Sequence, residues 1–325
     1  MGPQRSEPAS PLVSFVVIAH NEAATIAKAL ESIVAQGAGC GREVIVVDDG
    51  STDRTPEIVT ALAPEHPDIR LIRLERNRGR GFARNVGVGA ARGEYIATVD
   101  SDIVLPVGWL DRCLAALSDA DAVGATAVPD GDVAYLYSRF GLTPKRVAHS
   151  TRITGSNAVY RREVFERVSF DRSLRDGEDV ALNHALQRAR ARMVTLDQLT
   201  VAHEESKTAG EAIAWLYQSG RGAARQLRRY RAIRVPDVVF GGWVLSAVAA
   251  TRFVRRGHRL GLALPPTYLA AAATSHVVRA FVWERRQAVR FLGAILTDMV
   301  LLTAYFSGRA TGLVVSSRDD RRHSS

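Results

Sequence analysis

Hydrophobic and polar positions in the first two hundred residues alternate between two periods. Short runs of β-branched and apolar residues predict strands, and the stretches between them repeat apolar positions every three to four residues, as helices do. The alternation predicts an α/β fold with a mostly parallel sheet that helices cover on both faces. The predicted strands are Val13–Ala19, Glu43–Asp48, Ile69–Leu74, Tyr95–Val99 and, more weakly, Asp121–Val128. The predicted helices are Glu22–Gln36, Arg54–Leu62, Gly81–Ala91 and Trp109–Leu117.

After Val201 the pattern predicts helices alone. Residues 207–231 place apolar side chains on one stripe and four arginines on another, which is typical of a basic amphipathic helix. Three apolar stretches follow, and each is interrupted by a charge or a proline. None is a clean run of the about 20 apolar residues that a bilayer span needs. These stretches are Val238–Val254, Leu262–Trp283 and Phe291–Phe306.

The patterns divide the chain into four predicted segments. Residues 1–11 form a polar tail, residues 12–205 the α/β domain, residues 206–317 a helical region and residues 318–325 a second polar tail. The length of 325 residues and the 46% hydrophobic content exclude disordered, collagen-like and disulfide-scaffold proteins.

The two cysteines, Cys40 and Cys113, have no zinc-ligand spacing and indicate a reducing compartment. The apolar run Val13–Ala19 is too short for a signal peptide. We therefore expect the protein in the cytosol or on the cytoplasmic face of the cell membrane.

The net charge of +9 comes from the last third of the chain. Residues 1–203 carry 24 Lys and Arg against 26 Asp and Glu, whereas residues 204–325 carry 19 against 8. Such a block usually faces polyanions, and Tyr230 is the only aromatic residue in 221–234, so nucleic acid is disfavoured there. The favoured partner is an anionic membrane surface, with the helices peripheral or partly inserted. A membrane-spanning bundle and a soluble helical cap are the alternatives.

Acidic residues follow the predicted strands, at the edge where open α/β sheets bind ligands. Asp48 and Asp49 end the second strand, and Gly50 permits a tight turn against a bound base or ribose. The alternative is an ordinary turn that caps the next helix. Asp100 and Asp102 end the fourth strand, where two carboxylates are costly unless a hard divalent cation binds.

A third acidic group, Asp176–Asp179, opens a predicted helix. Carboxylates in a first helical turn are stabilised by the helix dipole, which gives a purely structural explanation. The functional explanation is that one of them is a general base for an attacking hydroxyl. The local pattern does not distinguish these two explanations.

Together these elements resemble the family 2 inverting glycosyltransferases, whose GT-A fold is a Rossmann-like, mostly parallel sheet flanked by helices. The resemblance covers about residues 12–205 and depends on the order and spacing of seven elements. They are Ala19-His20-Asn21-Glu22, Asp48–Asp53, Asn77–Asn85, Gly93-Glu94-Tyr95, Asp100-Ser101-Asp102, Gly155-Ser156-Asn157 and Glu178-Asp179.

The resemblance implies a role for each matching residue. Asp179 would be the catalytic base, with Glu178 beside it. A Mg²⁺ or Mn²⁺ ion would be held by Asp102 most directly, with Asp100 and His203, although His203 also fits an ordinary histidine at a domain edge. Asn85 would sit over the donor together with Asn77 and Arg84. The full set of donor nucleotide ligands would be Ala19, Asn21, Glu22, Asp48, Asp49, Asn77, Arg84, Asp100 and Ser101. The acceptor would meet Gly155 and Asn157, entering between residues 129–150 and the helix after Gly177.

Two departures from the family pattern refine this hypothesis. The first motif lacks the proline common before Asn21-Glu22, and Gln218–Arg221 is followed by Gly222 instead of the tryptophan of processive synthases. We therefore expect transfer of one sugar, from UDP-sugar by default, to a hydroxyl acceptor that is lipid-linked or part of a cell-envelope glycan or glycolipid. The alternatives are a nucleotidyltransferase on a similar sheet and an inactive nucleotide-sugar-binding membrane module.

Overall fold

The computed structural model describes residues 12–36, 41–130, 153–174, 177–204, 209–231, 235–284 and 291–319. These residues form two compact units, the first from residues 12–130 and 153–204 and the second from residues 209–319. The predicted tail at 1–11 and most of the tail at 318–325 lie outside the described ranges.

The first unit is an eight-stranded sheet with the strand order β3-β2-β1-β4-β7-β6-β8-β5 and flanking helices. Strand β1 is parallel to β2 and β4, β2 to β3, and β6 to β8, whereas β7 and β5 run antiparallel to their neighbours. The strands are β1 Val13–Ala19, β2 Arg42–Asp48, β3 Ile69–Arg73, β4 Tyr95–Asp100, β5 Ile103–Val104, β6 Ala122–Asp130, β7 Asn157–Arg161 and β8 Met193–Glu204. The helices are α1 Ile26–Val34, α2 Thr55–Leu62, α3 Arg80–Ala90, α4 Trp109–Ala116, α5 Val164–Arg167 and α6 Glu178–Arg188.

The central strands are continuous apolar runs because helices cover both faces of the sheet. Every residue of β1 is buried, as expected for a parallel strand between two helical layers. Helix α3 approaches β1 closely, since a Cβ atom at Gly87 would overlap the side chain of Val16. The predicted α/β class and the first four strands are confirmed.

The register of the parallel strands brings the acidic strand ends together. Ala19 at the end of β1 is paired with Asp48 on β2, and Ile18 is paired with Asp100 on β4. The carboxyl ends of β2, β1 and β4 therefore form one continuous edge. Asp48 and Asp100 lie on this edge, one strand either side of β1.

The second unit consists of helices α7 Ala209–Tyr230, α8 Val235–Arg255, α9 Leu264–Glu284 and α10 Phe291–Asp319, with a 3₁₀ turn at Arg259–Ala263. Helices α7 and α10 pack at glycines: a Cβ atom at Gly308 would overlap the carbonyl oxygen of Tyr217, and one at Gly220 would overlap that of Tyr305. Within the described residues, α8 contains the one stretch long and apolar enough to cross a membrane, Val238–Arg255, of which 6% is buried.

Two expectations need correction. Strands β5, β7 and β8 were not predicted, and β8 continues to Glu204, beyond the point where we expected helices alone. The predicted basic amphipathic helix is present as α7, and its apolar stripe is covered, because Leu216 and Ala224 are buried in the second unit. Helix α10 extends to Asp319, into the predicted polar tail. The predicted domain boundary at residue 205 stays a prediction.

Candidate active site

The loops that follow β1 and β2 are tied together by hydrogen bonds. The backbone N–H of Asn21 donates to Oγ of Ser51 at 2.9 Å, and Oδ1 of Asn21 accepts from the N–H of Thr52 at 2.8 Å. The N–H of Glu22 donates to Oγ1 of Thr55 at 2.8 Å. Asn21 adopts a left-handed backbone with φ 59°, which asparagine tolerates better than most residues. Its side chain therefore fixes the first loop against the second.

Asp48 and Asp49 hold the turns around this edge. Asp49 accepts from the N–H groups of Arg78 and Gly79, at 2.7 and 2.8 Å, one on each carboxylate oxygen. Asp48 is fully buried, and its Oδ1 accepts from the N–H of Ser51 at 3.0 Å. Both side chains thus have partners in the protein. Their predicted contact with the donor stays a prediction.

The predicted donor residues Ala19 and Asn77 lie beside the same turn. The carbonyl of Ala19 accepts from the N–H of Asp49 at 2.8 Å. Gly50 has φ +72°, and a Cβ atom there would lie 2.6 Å from the carbonyl carbon of Arg76 and 2.7 Å from the backbone nitrogen of Asn77. A side chain at position 50 would push the Arg76-Asn77 segment away. Gly50 therefore permits the close approach that brings Asn77, which is half-buried, to this edge.

Arg84 of α3 joins two carboxylates from different elements. Its side chain is 2% exposed; Nη2 lies 2.6 Å from Oδ1 of Asp100, and Nη1 contacts Oε1 of Glu178. Burial alone would lower the pKa of Arg84, but the charges of Asp100 and Glu178 raise it, so the guanidinium stays charged. The resemblance implied a donor contact for Arg84, whereas the structure places its guanidinium on Asp100 and Glu178.

Asp102 meets His203 across β5 and β8. Ile103 is paired with His203 in the antiparallel register, and Nε2 of His203 lies 2.9 Å from Oδ2 of Asp102. Ser101, between the two aspartates, is buried. The structure thus brings together two of the three predicted metal ligands, and the strand that carries His203 is one that sequence reasoning missed.

The side chains of Glu22, Asp100, Asp102 and His203 are chemically suited to a divalent cation. Burial raises the pKa of Glu22 to about 7, and the negative charges of Asp102 and Asp100 add to this effect, against a hydrogen bond from Thr25. A Mg²⁺ or Mn²⁺ ion would neutralise the excess negative charge and could take the carboxylate oxygens and the imidazole nitrogen as ligands. No group of three or more His, Cys, Asp or Glu side chains in the described part of the chain could hold a metal ion. Asp102 and His203 would therefore need further oxygen ligands, such as donor phosphates.

Asp179 lies in the first turn of α6, next to a glycine turn. Its side chain is half-buried, and its Oδ1 accepts from the N–H of Val180 at 2.8 Å. A Cβ atom at Gly155 would lie 3.1 Å from Cβ of Asp179 and 3.2 Å from Nη1 of Arg84. Gly155 therefore lies directly against the predicted base. Asp176 and residues 131–150 of the predicted acceptor entrance lie outside the described residues.

Asn157 was predicted to contact the acceptor, but its side chain is fully buried. Its Oδ1 accepts from the N–H of Ala125 at 2.9 Å, and its Nδ2 donates to Oγ1 of Thr154 at 3.2 Å. The first bond connects β7 with β6, and the second connects β7 with the turn before it. What the contacts support is a structural role for Asn157 beneath the turn that carries Gly155.

Two asparagines hold the site by pairing with backbone groups. Asn183 of α6, which sequence reasoning missed, accepts from the N–H of Ile153 at 3.0 Å and donates to the carbonyls of Ile153 and Asp179 at 2.8 and 2.9 Å. Asn85 of α3 pairs in the same way with the N–H and carbonyl of Phe170, at 3.1 and 2.8 Å. The available signal for Asn183 was a polar residue on an otherwise apolar helix face, four residues after Asp179.

Comparisons with known proteins agree on the family and the fold. Residues 14–169 match the model of Glycosyl transferase family 2. The succinoglycan biosynthesis protein ExoO of Rhizobium meliloti (strain 1021) is 43% identical over 196 residues, which are 53% of this chain and 54% of that protein. The uncharacterized glycosyltransferase EpsJ of Bacillus subtilis (strain 168) is 32% identical over 60% of this chain and 62% of that protein. The chain thus spans about half to three fifths of the length of these relatives.

Among solved structures, the mannosyltransferase PcManGT from Pyrobaculum calidifontis, in complex with GDP-Man and Mn²⁺, has a TM-score of 0.60 with this chain. The match covers 97% of this chain and 91% of that one, at 21% sequence identity. This likeness confirms the GT-A fold.

Proposed function

We propose that the chain is a family 2 glycosyltransferase, whose model residues 14–169 match, and that it transfers one sugar from a nucleotide-sugar to an acceptor hydroxyl with inversion. One observation carries this proposal. The buried Arg84 joins the end of β4, which leads to Asp102, to the start of α6, which carries Asp179. Asp100, two residues before the candidate metal ligand Asp102, and Glu178, one residue before the candidate base Asp179, thus contact the same guanidinium.

In the proposed reaction Asp179 is the base. Its carboxylate accepts the proton of the acceptor hydroxyl while the hydroxyl oxygen forms a bond to the anomeric carbon. The bond from that carbon to the diphosphate oxygen breaks at the same time on the opposite face, and the nucleoside diphosphate leaves with the bonding electrons. Attack from the opposite face inverts the anomeric centre. Glu178 does not act as the base here, because its carboxylate is committed to Arg84.

Asp102 and His203 would hold the metal ion, since their side chains meet at 2.9 Å. When bound, Mg²⁺ or Mn²⁺ would neutralise the charge that develops on the departing diphosphate. Asp100 would take part less directly, because its Oδ1 faces Arg84. Ala19, Asn21, Glu22 and Asn77 would frame the nucleotide at the ends of β1 and β3.

The donor base is the open part of this proposal. UDP is our default, and the GDP-Man that accompanies the structurally similar mannosyltransferase makes GDP the second donor to test. The name of the succinoglycan relative supports an acceptor in extracellular or envelope polysaccharide synthesis, on a lipid carrier or on a glycan. Transfer of a single sugar is supported by the buried Gly222 of α7, which stands where processive synthases carry a tryptophan.

We also propose that the second unit binds the anionic cytoplasmic face of the membrane. Only 6% of the apolar stretch Val238–Arg255 is buried, and half of its residues are exposed, among them Val238 at 66% and Leu245 at 70%. In the turn after it Leu260 and Leu262 are 88% and 65% exposed. The arginines around this turn are exposed as well, which places positive charge beside the apolar surface. They are Arg252, Arg255, Arg256 and Arg259.

The membrane proposal predicts that the purified chain sediments with vesicles containing phosphatidylglycerol but not with phosphatidylcholine alone. Changing Leu260 and Leu262 together to Ser should weaken sedimentation without altering stability. Equal sedimentation with both lipids would remove the role of charge. No sedimentation with either would favour the soluble helical cap.

The catalytic proposal is tested by thermal stability and nucleoside diphosphate release with UDP-, GDP- and TDP-sugars, each with Mn²⁺, Mg²⁺ or chelator. Asp102→Ala should weaken donor binding and remove metal dependence, whereas Asp179→Asn should keep binding and lose turnover. Asp119 is exposed, so Asp119→Asn serves as a matched control. Full turnover in chelator would exclude the metal from the mechanism, and binding without turnover would favour the inactive module. Pyrophosphate release from a nucleoside triphosphate would identify the nucleotidyltransferase alternative.

A further inference from the structure

We infer that Arg84 and Glu178 form a positioning pair that fixes the base Asp179 relative to the strand end carrying Asp100 and Asp102. The inference builds on the proposed function and assigns Arg84 a role other than donor binding. It makes Glu178 a positioning residue, not a second base.

The geometry of Arg84 is that of a bridge between two elements. Nη2 faces Asp100 at the end of β4, and Nη1 faces Glu178 at the first position of α6. The guanidinium is planar, so two contacts through two of its nitrogens fix the relative position of both carboxylates. Asp179 is the next residue along α6. Its backbone position follows from that of Glu178.

Burial makes this bridge strong and excludes a donor role in the same conformation. Arg84 and Glu178 are 2% and 3% exposed, and Asp100 is 15% exposed. Removing a buried charge from such a group leaves its partners without compensation, which is strongly unfavourable. The guanidinium would have to leave two carboxylates to reach a nucleotide phosphate. We therefore expect it to stay in place when the donor binds.

Further contacts hold the start of α6 from other sides. Gly155 lies against both Asp179 and Arg84, and the next carbonyl, that of Ser156, accepts from the N–H of Asp100 at 2.9 Å. Asn183 bonds to Ile153 in the same segment. The turn at residues 153–156 thus touches the base helix, the arginine and the end of β4. The backbone of α6 at Asp179 is therefore held from more than one side.

The test compares Arg84→Met, Arg84→Lys and Glu178→Gln with the wild-type chain. Lysine keeps the charge but cannot reproduce the fork of the guanidinium. Arg42→Met is the matched control, because Arg42 pairs with Asp68 at 2.6 Å in the same unit, at the opposite ends of the strands. Donor affinity is measured by titration, kcat and KM by nucleoside diphosphate release, and opening of α6 by hydrogen exchange of the backbone amides of residues 178–183.

Arg84→Met is expected to lower kcat by about 100-fold, the effect of a misplaced catalytic group, while the donor Kd changes less than about twofold. Amide exchange at the start of α6 should rise. The kcat and the amide exchange of Arg84→Lys should lie between those of Arg84→Met and the wild type. Glu178→Gln should retain part of the activity, since an amide oxygen still accepts a hydrogen bond from Arg84. Arg42→Met should lower the melting temperature without changing kcat or the exchange of α6.

Three results would overturn the inference. A weaker donor Kd with unchanged kcat in Arg84→Met would make Arg84 a donor ligand. Unchanged exchange in α6 would show that Arg84 does not hold the helix. If Arg84→Met lowers the melting temperature but leaves kcat and the exchange of α6 unchanged, as expected for Arg42→Met, the pair contributes only to stability. If the wild-type chain itself releases no diphosphate from any donor, the proposed function fails, and the exchange measurement still decides whether Arg84 fixes α6.

Discussion

Replacing Glu22 with glutamine is expected to stabilise the metal-free protein at high pH and to leave it unchanged at low pH. Burial raises the pKa of Glu22 from 4.5 to about 7, and the charge of Asp102 contributes to the increase. At 1.36 kcal/mol per pKa unit, this difference corresponds to about 3 kcal/mol. The folded protein bears that cost whenever Glu22 is ionised.

The sign of the stability change follows from the ionisation of Glu22 in the folded and in the unfolded chain. Below about pH 4.5 the Glu22 carboxyl carries its proton in both the folded and the unfolded protein, so it does not affect their balance. Between about pH 4.5 and 7 the unfolded chain ionises first, and stability falls as the pH rises. Above about pH 7 the full cost is present. Glutamine resembles the protonated form, so the gain from Glu22→Gln should rise from near zero to about 3 kcal/mol across this range.

The measurement is urea unfolding of both proteins in chelator at about pH 4.5 and about pH 8.5. Glu43→Gln is the control with the opposite sign. Burial by itself raises the pKa of Glu43, but hydrogen bonds from Ser14 and Arg92 and the charges of Arg92 and Arg70 lower it. Glu43→Gln should therefore destabilise the protein at both pH values, because the contribution of Glu43 is lost only as the pH falls through its lowered pKa, below 4.5. The same change in stability at both pH values for Glu22→Gln would refute the electrostatic explanation.

Two glycine substitutions test the close contacts on which each unit depends. Gly155→Ala places a Cβ atom 3.1 Å from Cβ of Asp179, so kcat should fall at least about tenfold with little change in melting temperature; unchanged kcat would mean that Asp179 tolerates displacement. Gly308→Ala would overlap the carbonyl oxygen of Tyr217 and should cost about 1–3 kcal/mol in urea unfolding. The control Gly241→Ala, with nothing within 4 Å of the added atom, should not destabilise. Equal stability of Gly308→Ala and Gly241→Ala would contradict the packing of α7 on α10.

The sequence predicted those strands whose hydrophobic pattern can be recognised without knowing their partner strands in the sheet. Strands β1 and β2 are buried almost throughout, so a continuous apolar run is sufficient evidence for them. Strand β8 is buried at only three of its twelve positions, Thr195, Leu199 and Val201, and includes the polar residues Asp197 and Gln198. Strand β7 has five residues and begins at Asn157. Both depend on partners distant in sequence, which a local pattern does not contain.

The same limit explains which site residues could be predicted and which roles could not. Position at a strand end was sufficient to select Asp48, Asp100 and Asp102. Whether a selected side chain faces a ligand or the protein depends on its partner, and Arg84 meets Glu178 across 94 positions of sequence. Asn157 was selected for the right turn, and its side chain is buried beneath that turn. Its predicted contact with the acceptor stays a prediction.

The charges at the carboxyl edge favour Asp102 over Asp100 as the main metal ligand. Arg84 is permanently charged, and it faces both Asp100 and Glu178 within the buried cluster. Asp102 instead faces His203, an imidazole that is a metal ligand when neutral, and adds to the negative potential that raises the pKa of Glu22. A divalent cation would gain more at Asp102, where negative charge accumulates, than at Asp100, where a cation is already present. On this account Arg84 would separate the two roles of the acidic edge: Asp100 would help to position the base, and Asp102 would bind the metal.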